Sequence, residues 1–308
     1  MYKEKSMSTY TKNILTIQQQ LQAYIDAGMN IPSISEATQA LATIGYYRLR
    51  GYCFHLYNNQ IKQYRHGTDF SEILRLYQFD TELSHLLFSM TSSIEVALRA
   101  RLTDALLTHG DSLILYNPNY FSNKKLFWQN LGTLSSEIAR SSDVFIQHNF
   151  QNHDGQIPIW AAVEVMSFGN LSKTIKNLKT GSGSAASKLI ANYRHLSPNG
   201  HMVNPSLQMF CSWIQSVSIL RNMCAHNSRI YNRTISTHLQ IPAIDQPNPV
   251  SRRNGLYQIV LAMKYLRPSD DIWKQFVIDL TALFNKYNNV IDMARINFPA
   301  DWNSHLIV

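Results

Sequence analysis

The chain has 308 residues, 45% of them hydrophobic, enough to bury a full core without staples, and its three cysteines, Cys53, Cys211 and Cys224, are too few and too scattered for a disulfide framework or a zinc site. A formal charge of +8 and a pI near 9.3 point to an anionic partner or simply to a basic protein, and sixteen Tyr and thirteen Phe among those cations tilt the reading toward single-stranded RNA. No uncharged apolar run approaches the roughly 20 residues of a membrane span, and MYKEKSMSTYTKN lacks a signal-peptide core, so a cytoplasmic location with no membrane partner is expected.

Residues 14–27 place Ile17, Leu21, Tyr24 and Ile25 at helical spacing, with Gly28 as the left-handed residue that ends the helix. A second helix follows, capped by Ser33 or Ser35, with Ala37, Leu41 and Ile44 inside. GYYRLRGYCFHLYNN reads either as continuing helix or as an alternating strand, and its Arg48 and Arg50 fit surface ion pairs or RNA phosphate contacts. QIKQYRHGTD is a loop or small hairpin. From Asp69 to about Thr108 the pattern predicts one long helix with an Asp69/Glu72 capping box, unbroken or interrupted once near 90–93. Asp80 falls on its apolar stripe and Glu95 beside it, both candidates to neutralise an inward arginine such as Arg99 or Arg221.

A helix is expected over 124–140, then a loop through HNFQNHDGQIP whose histidines lack metal-ligand spacing. Pro158 starts a helical segment running to about Lys179, lined by Trp160, Val163, Ser167 and Leu171, with Glu164 intruding on that face. Glu164 is expected to pair with Arg221 or His226. Lys173 and Lys176 near its end form a solvated face or a phosphate-tracking edge, and GSGSAAS reads as a loop. Pro205 opens the central helix, a polar loop covers 236–254 with Arg252 and Arg253 at its end, and two final helices span 255–266 and 270–288, the latter capped by Ser269. Phe298 and Trp302 in the tail are expected to tuck into a groove. No strand-helix alternation and no repeat appears, so the chain reads as all-α, with an N-terminal helical lobe over 1–66 and a helical bundle over 67–308.

The chemistry concentrates in PSLQMFCSWIQSVSILRNMCAHNSRIYNR, residues 205–233. Phe210, Trp213, Ile214, Val217, Leu220 and Cys224 recur every three or four residues, and at about 100° per residue Arg221 falls within roughly 20° of the middle of that stripe. A guanidinium cannot shed its proton, so it needs a carboxylate, a backbone acceptor or a phosphate there. Asn222 and His226 lie one turn apart, spaced to hydrogen-bond each other. Arg221 and His226 are about 140° apart around the helix, so they meet either through the length of the arginine or across a dimer.

R-N-M-C-A-H followed by N-S-R-I-Y-N-R resembles the R-x4-H signature of HEPN ribonucleases in the form carried by the abortive-infection (AbiD/AbiF-like) Abi family. YTKNILTIQQQLQAYIDAG, ATIGYYRLRGY, LYQFDTELSHLL, SIEVALRARL, PIWAAVEVMSFGNLS and NFPADW are similar to family blocks in the same order, and Asn227 departs where relatives often carry a second His. The resemblance implies a HEPN-like helical bundle, favours helix for GYYRLRGYCFHLYNN, and implies metal-independent endoribonuclease cleavage with no cofactor by a homodimer. Arg221 would grip the phosphate, His226 would move protons, and Asn222 and Glu164 would orient them, with Arg229, Tyr231, Asn232 and Arg233 flanking the RNA. RNA supplies its own 2′-hydroxyl nucleophile, so an acid, a base and a cation suffice. Two other readings remain: a protein that holds a partner noncoding RNA uncut, and a scaffold that senses a phage protein.

Overall fold

The computed structural model describes residues 14–235, 238–245 and 255–308; MYKEKSMSTYTKN, Arg252 and Arg253 lie outside them. The chain is all-α. Contact density divides it into two compact units, Met1–Phe79 and Asp80–Val308.

In the first unit, α1 (Ile17–Asp26) opens on Thr16, whose hydroxyl accepts from the Gln19 amide while the Gln19 side chain returns to Thr16. It stops where Gly28 turns left-handed, φ 80°. Ser33 caps α2 (Ile34–Thr43). Next come α3 (Tyr46–Cys53), one 3₁₀ turn, and a hairpin of two-residue strands, β1 (Tyr57–Asn58) and β2 (Gln63–Tyr64), so GYYRLRGYCFHLYNN is helical through its arginines but ends in a strand and not in the helix expected throughout. Tyr24, Leu49, Tyr52 and Phe70 are fully buried and centre this core.

Helix α4 (Phe70–Leu107) supplies the end of the first unit and the start of the second as one unbroken helix of 38 residues. At 1.5 Å per residue it is about 57 Å long. The second unit continues with α5 (Lys124–Ala139), α6 (Val144–Asn152), α7 (Ile159–Val165), α8 (Phe168–Lys176), α9 (Ala185–Ile190), a small hairpin of β3 (His195–Leu196) and β4 (Met202–Val203), α10 (Leu207–Ala225), α11 (Leu256–Leu266) and α12 (Asp270–Lys286). The central element is α10, which packs most extensively on α8 and α11. Its stripe of Phe210, Trp213, Ile214, Val217 and Leu220 is fully buried, and α11 is buried on every side except at Lys264.

Three local expectations are corrected. The segment 158–179 is two helices, because Met166 is extended and Ser167 starts afresh as the N-cap of α8, accepting from the Asn170 amide. Within α7 the buried residues are Ile159, Ala161, Ala162 and Val163, whereas Trp160 is 53% exposed and does not line a core face. The loop expected over 148–158 is helical through Asn152: α6 buries only Ile146 and Asn149, too narrow an apolar signal to stand out among polar neighbours. The end of GSGSAAS, residues 181–187 read as a loop, instead opens α9 (Ala185–Ile190) behind the Ser184 cap.

The tail packs as expected. Phe298 lies on Tyr257 and Phe284, Trp302 on Phe284, and the Trp273 indole donates to the Leu306 carbonyl at 2.7 Å. Nearby, buried Asp245 accepts from the Lys264 ammonium at 2.9 Å and from the Tyr265 hydroxyl. Among the described residues no helix is long and apolar enough to cross a membrane.

His195 is buried edge-on to Trp213 and Tyr265. Burial lowers its pKa below the ordinary 6.5, with Asp245 pulling weakly the other way. The folded state therefore prefers neutral imidazole. Its stabilising effect is complete above pH 6.5 and is lost on acidification, as the unfolded chain takes up a proton that the folded chain resists. Melting curves should show a smaller loss of Tm between pH 7 and pH 5 for His195→Leu than for the unaltered protein; equal losses would contradict the assignment.

Candidate functional site

Helices α4 and α10 run in opposite directions: the loop after α10 meets Asp80, Cys224 meets Ser84, and Arg221 meets Phe88 and Glu95. Arg221 leaves the buried stripe with its side chain 32% exposed. It is therefore not sealed in the core, as its place on the stripe suggests, but lies at the core's edge with its guanidinium centre 5.7 Å above the Phe88 ring. Its Nε sits 3.3 Å from the Glu95 Oε2 without the alignment of a hydrogen bond, so that contact is one of charge. Its Nη1 donates to the Asn222 Oδ1 at 3.3 Å. Among the described residues Nη2 meets no protein acceptor.

Glu95 is 4% exposed, an unfavourable place for a carboxylate unless cations meet it. Two do. The Arg99 Nη2 donates to the Glu95 Oε1 at 2.5 Å and also to the Met166 carbonyl at 2.9 Å, and the Arg99 Nη1 lies 3.7 Å from the Glu164 Oε2. The charges alternate in a chain: Glu164, Arg99, Glu95, Arg221. The expected pairing of Glu164 with Arg221 or His226 is thereby corrected. Glu164 sits against Arg99, 52% exposed, on the face of α7 opposite the buried Ala162. The break after α7 frees the Met166 carbonyl from helical bonding, and Arg99 takes it. Ser167, a good N-cap residue in the middle of an apolar run, was the sequence signal for that break.

The end of α10 is built for a sharp exit. His226 is the C-cap; the amide of Asn227 bonds the Cys224 carbonyl at 3.0 Å and that of Ser228 the Met223 carbonyl at 2.8 Å. This is the paired bonding of a Schellman motif, whose C′ residue must be left-handed. Asn227 holds that position at φ 50°, a conformation Asn tolerates better than His or a branched residue. The imidazole of His226 is exposed, and Asn222 does not orient it: the Asn222 oxygen is engaged by Arg221, and only backbone bonds join residues 222 and 226.

Buried Asp80 then anchors the chain, accepting from the Ile230 amide at 3.1 and 3.2 Å and from the Tyr231 amide at 2.7 Å. Tyr231 cannot flank RNA as expected. Its ring is 1% exposed and its hydroxyl accepts from the Asp292 amide at 3.0 Å, with burial raising its pKa. Arg229 and Asn232 are half-buried, Asn232 left-handed at φ 54°, and Arg233 is exposed.

The remaining candidate cations are spread out. Lys173 and Lys176 are exposed on the last turn of α8. Arg48 and Arg50 belong to the first unit, where Arg48 lies 5.7 Å over the Tyr77 ring and Arg50 within 6.0 Å of Tyr46 and 5.6 Å of Tyr57. Among the described residues no group of three or more His, Cys, Asp or Glu is placed to hold a metal ion.

A family model described as Abi-like protein matches residues 39–232, a span that contains every member of the charge chain and ends just past the α10 exit. No curated protein and no solved structure matches the chain.

Removing Glu95 takes the buried counter-charge from two guanidinia, leaving Arg99 the Met166 carbonyl and Arg221 the Asn222 oxygen. Glu95→Leu should cost about 2–4 kcal/mol in urea unfolding, less than breaking a fully buried pair because Arg221 keeps part of its water. Glu95→Gln, which still accepts a hydrogen bond, should cost less. Unchanged unfolding midpoints for Glu95→Leu would show that the carboxylate does not hold these helices.

Proposed function

The chain belongs to the Abi-like protein family, and from that premise we propose that it is an abortive-infection phage-defence protein acting as a metal-independent, HEPN-type endoribonuclease. The observation that carries this reading is a guanidinium held at the core's edge with one Nη group unclaimed among the described residues, five residues from an exposed imidazole on the same helix end. Arg221 is steadied by the Glu95 charge, the Asn222 oxygen and the Phe88 ring, so it meets a phosphate with little further loss of conformational freedom. Its fork matches two phosphate oxygens.

His226 is the proton carrier. The imidazole takes the proton of the 2′-hydroxyl or gives one to the departing 5′-oxygen, and the products are a 2′,3′-cyclic phosphate and a free 5′-hydroxyl. Glu95 is a positioning residue that sets the Arg221 charge without touching RNA. The roughly 140° between Arg221 and His226 separates them on one helix. A second copy of the chain, with its own R-x4-H facing the first, completes acid, base and phosphate grip, so the active form is a homodimer. Lys173, Lys176, Arg229 and Arg233 supply the surrounding positive surface, and the cytoplasm is the compartment where the substrate is met.

One observation favours a second reading, retention of a noncoding RNA without cleavage: Asn222 is turned toward Arg221, leaving His226 unoriented. Cleavage assays separate the two. Arg221→Ala and His226→Ala should each lower the rate by about 10²- to 10⁴-fold while circular dichroism stays unchanged, and EDTA should not inhibit the unaltered protein. Cleavage undiminished in both variants would refute the assignment. Co-purification of one defined RNA that survives intact would favour the binding protein.

A further inference from the structure

The outward turn of α7 opens a cavity of about 520 Å³, lined among others by Phe145, His148, Asn149, His153, Trp160 and Glu164. Pockets of this size commonly take small organic ligands. Its walls are chemically specific. Trp160 and Phe145 are 53% and 41% exposed, large flat rings that the fold leaves uncovered at the mouth. Glu164 lies at one side, its Oε2 facing Arg99 at 3.7 Å and its Oε1 uncommitted.

The Asn152 Nδ2 donates to the His148 carbonyl at 3.1 Å and lies 3.1 Å from the His148 Nδ1. That contact suits a neutral ring whose Nδ1 accepts and whose Nε2–H is offered to a ligand. The cavity thus combines an aromatic platform, a carboxylate that can only accept, and an imidazole that donates.

We infer that this cavity receives a guanine base. Among the four RNA bases only guanine carries two adjacent N–H donors on its Watson–Crick edge, N1–H and the 2-amino group, and these suit a carboxylate. Its neighbouring O6 suits the His148 donor, and its face suits Trp160. The inference deepens the ribonuclease reading and rests on it for the source of the base. Glu164 stands at one end of the charge chain and Arg221 at the other, so a strand whose guanine fills the cavity is joined by continuous ionic contacts to the phosphate-gripping arginine. The enzyme would cut at a fixed offset from guanine.

The test uses the full chain and two arms. In calorimetric titrations GMP should bind more tightly than AMP, CMP or UMP. Trp160→Ala should weaken GMP by about 5- to 100-fold. Glu164→Gln, which swaps one acceptor for a donor, should abolish the preference, and Arg221→Ala should leave it intact. In the second arm, cleavage sites mapped on an RNA with isolated guanines should fall at one distance from each, and lose that register in His148→Ala. Melting curves identify any variant that fails to fold, in which case the mononucleotide ranking of the unaltered protein decides. Equal affinity for all four nucleotides, or GMP binding indifferent to Trp160 and Glu164, overturns the proposal. Guanine-selective binding without RNA cleavage keeps the pocket and sinks the nuclease; Arg221-dependent cleavage without a guanine register does the reverse.

Discussion

A carboxylate almost without solvent, Glu95, is the constraint from which the second unit's polar interior follows. Desolvating such a group is unfavourable by several kcal/mol unless compensating charge is brought to it. Two guanidinia do so, one at each oxygen, Arg99 on its own helix and Arg221 on α10. Because Arg99 also takes the Met166 carbonyl, the carboxylate ties together three stretches of chain: the middle of α4, the break between α7 and α8, and the last turns of α10. Apolar packing brings these elements together, but it is not directional. The charge chain selects which faces meet and in what register.

The same constraint explains how a cation can be both buried in origin and available in action. Arg221 begins among Leu220, Val217 and Cys224, all buried, and reaches across Phe88 to the surface. Around it, Asp80 is committed to the amides of Ile230 and Tyr231, and one oxygen of Glu164 faces Arg99. The abrupt left-handed exit at Asn227 keeps His226 at the helix end in solvent, where a continued helix would have carried it onto the next face. The end of α10 thus carries one steadied positive group and one exposed imidazole. The cavity beside Trp160 shares Glu164 with the other end of the same ionic chain.

Much of the architecture was legible in the amino-acid sequence. The long α4, the apolar stripe of α10, the caps at Ser33 and Ser269, the stop at Gly28 and the buried tail aromatics all follow from spacing and local backbone chemistry, which act over a few residues. The oddity of Arg221 was visible for the same reason, since a 3.6-residue period is a local property. So were Asp80 and Glu95 as acids on an inward face. Short helices with narrow apolar faces, α6 and α9, were not legible, because propensity alone gives little signal over six to nine residues and packing decides them.

Which acid serves which base was a different kind of question. The sequence by itself determined an all-α chain, its core positions, and the presence of one arginine and one histidine at the end of an otherwise greasy helix. Only the tertiary structure decided that Glu95 and not Glu164 stands at Arg221, that Asn222 turns to the arginine and not to the imidazole, and that Tyr231 is core while Trp160 is not. The reason is range: periodicity reports the direction a side chain leaves its own helix, whereas an ion pair depends on where a second helix, some 125 residues away in the chain, comes to rest against it.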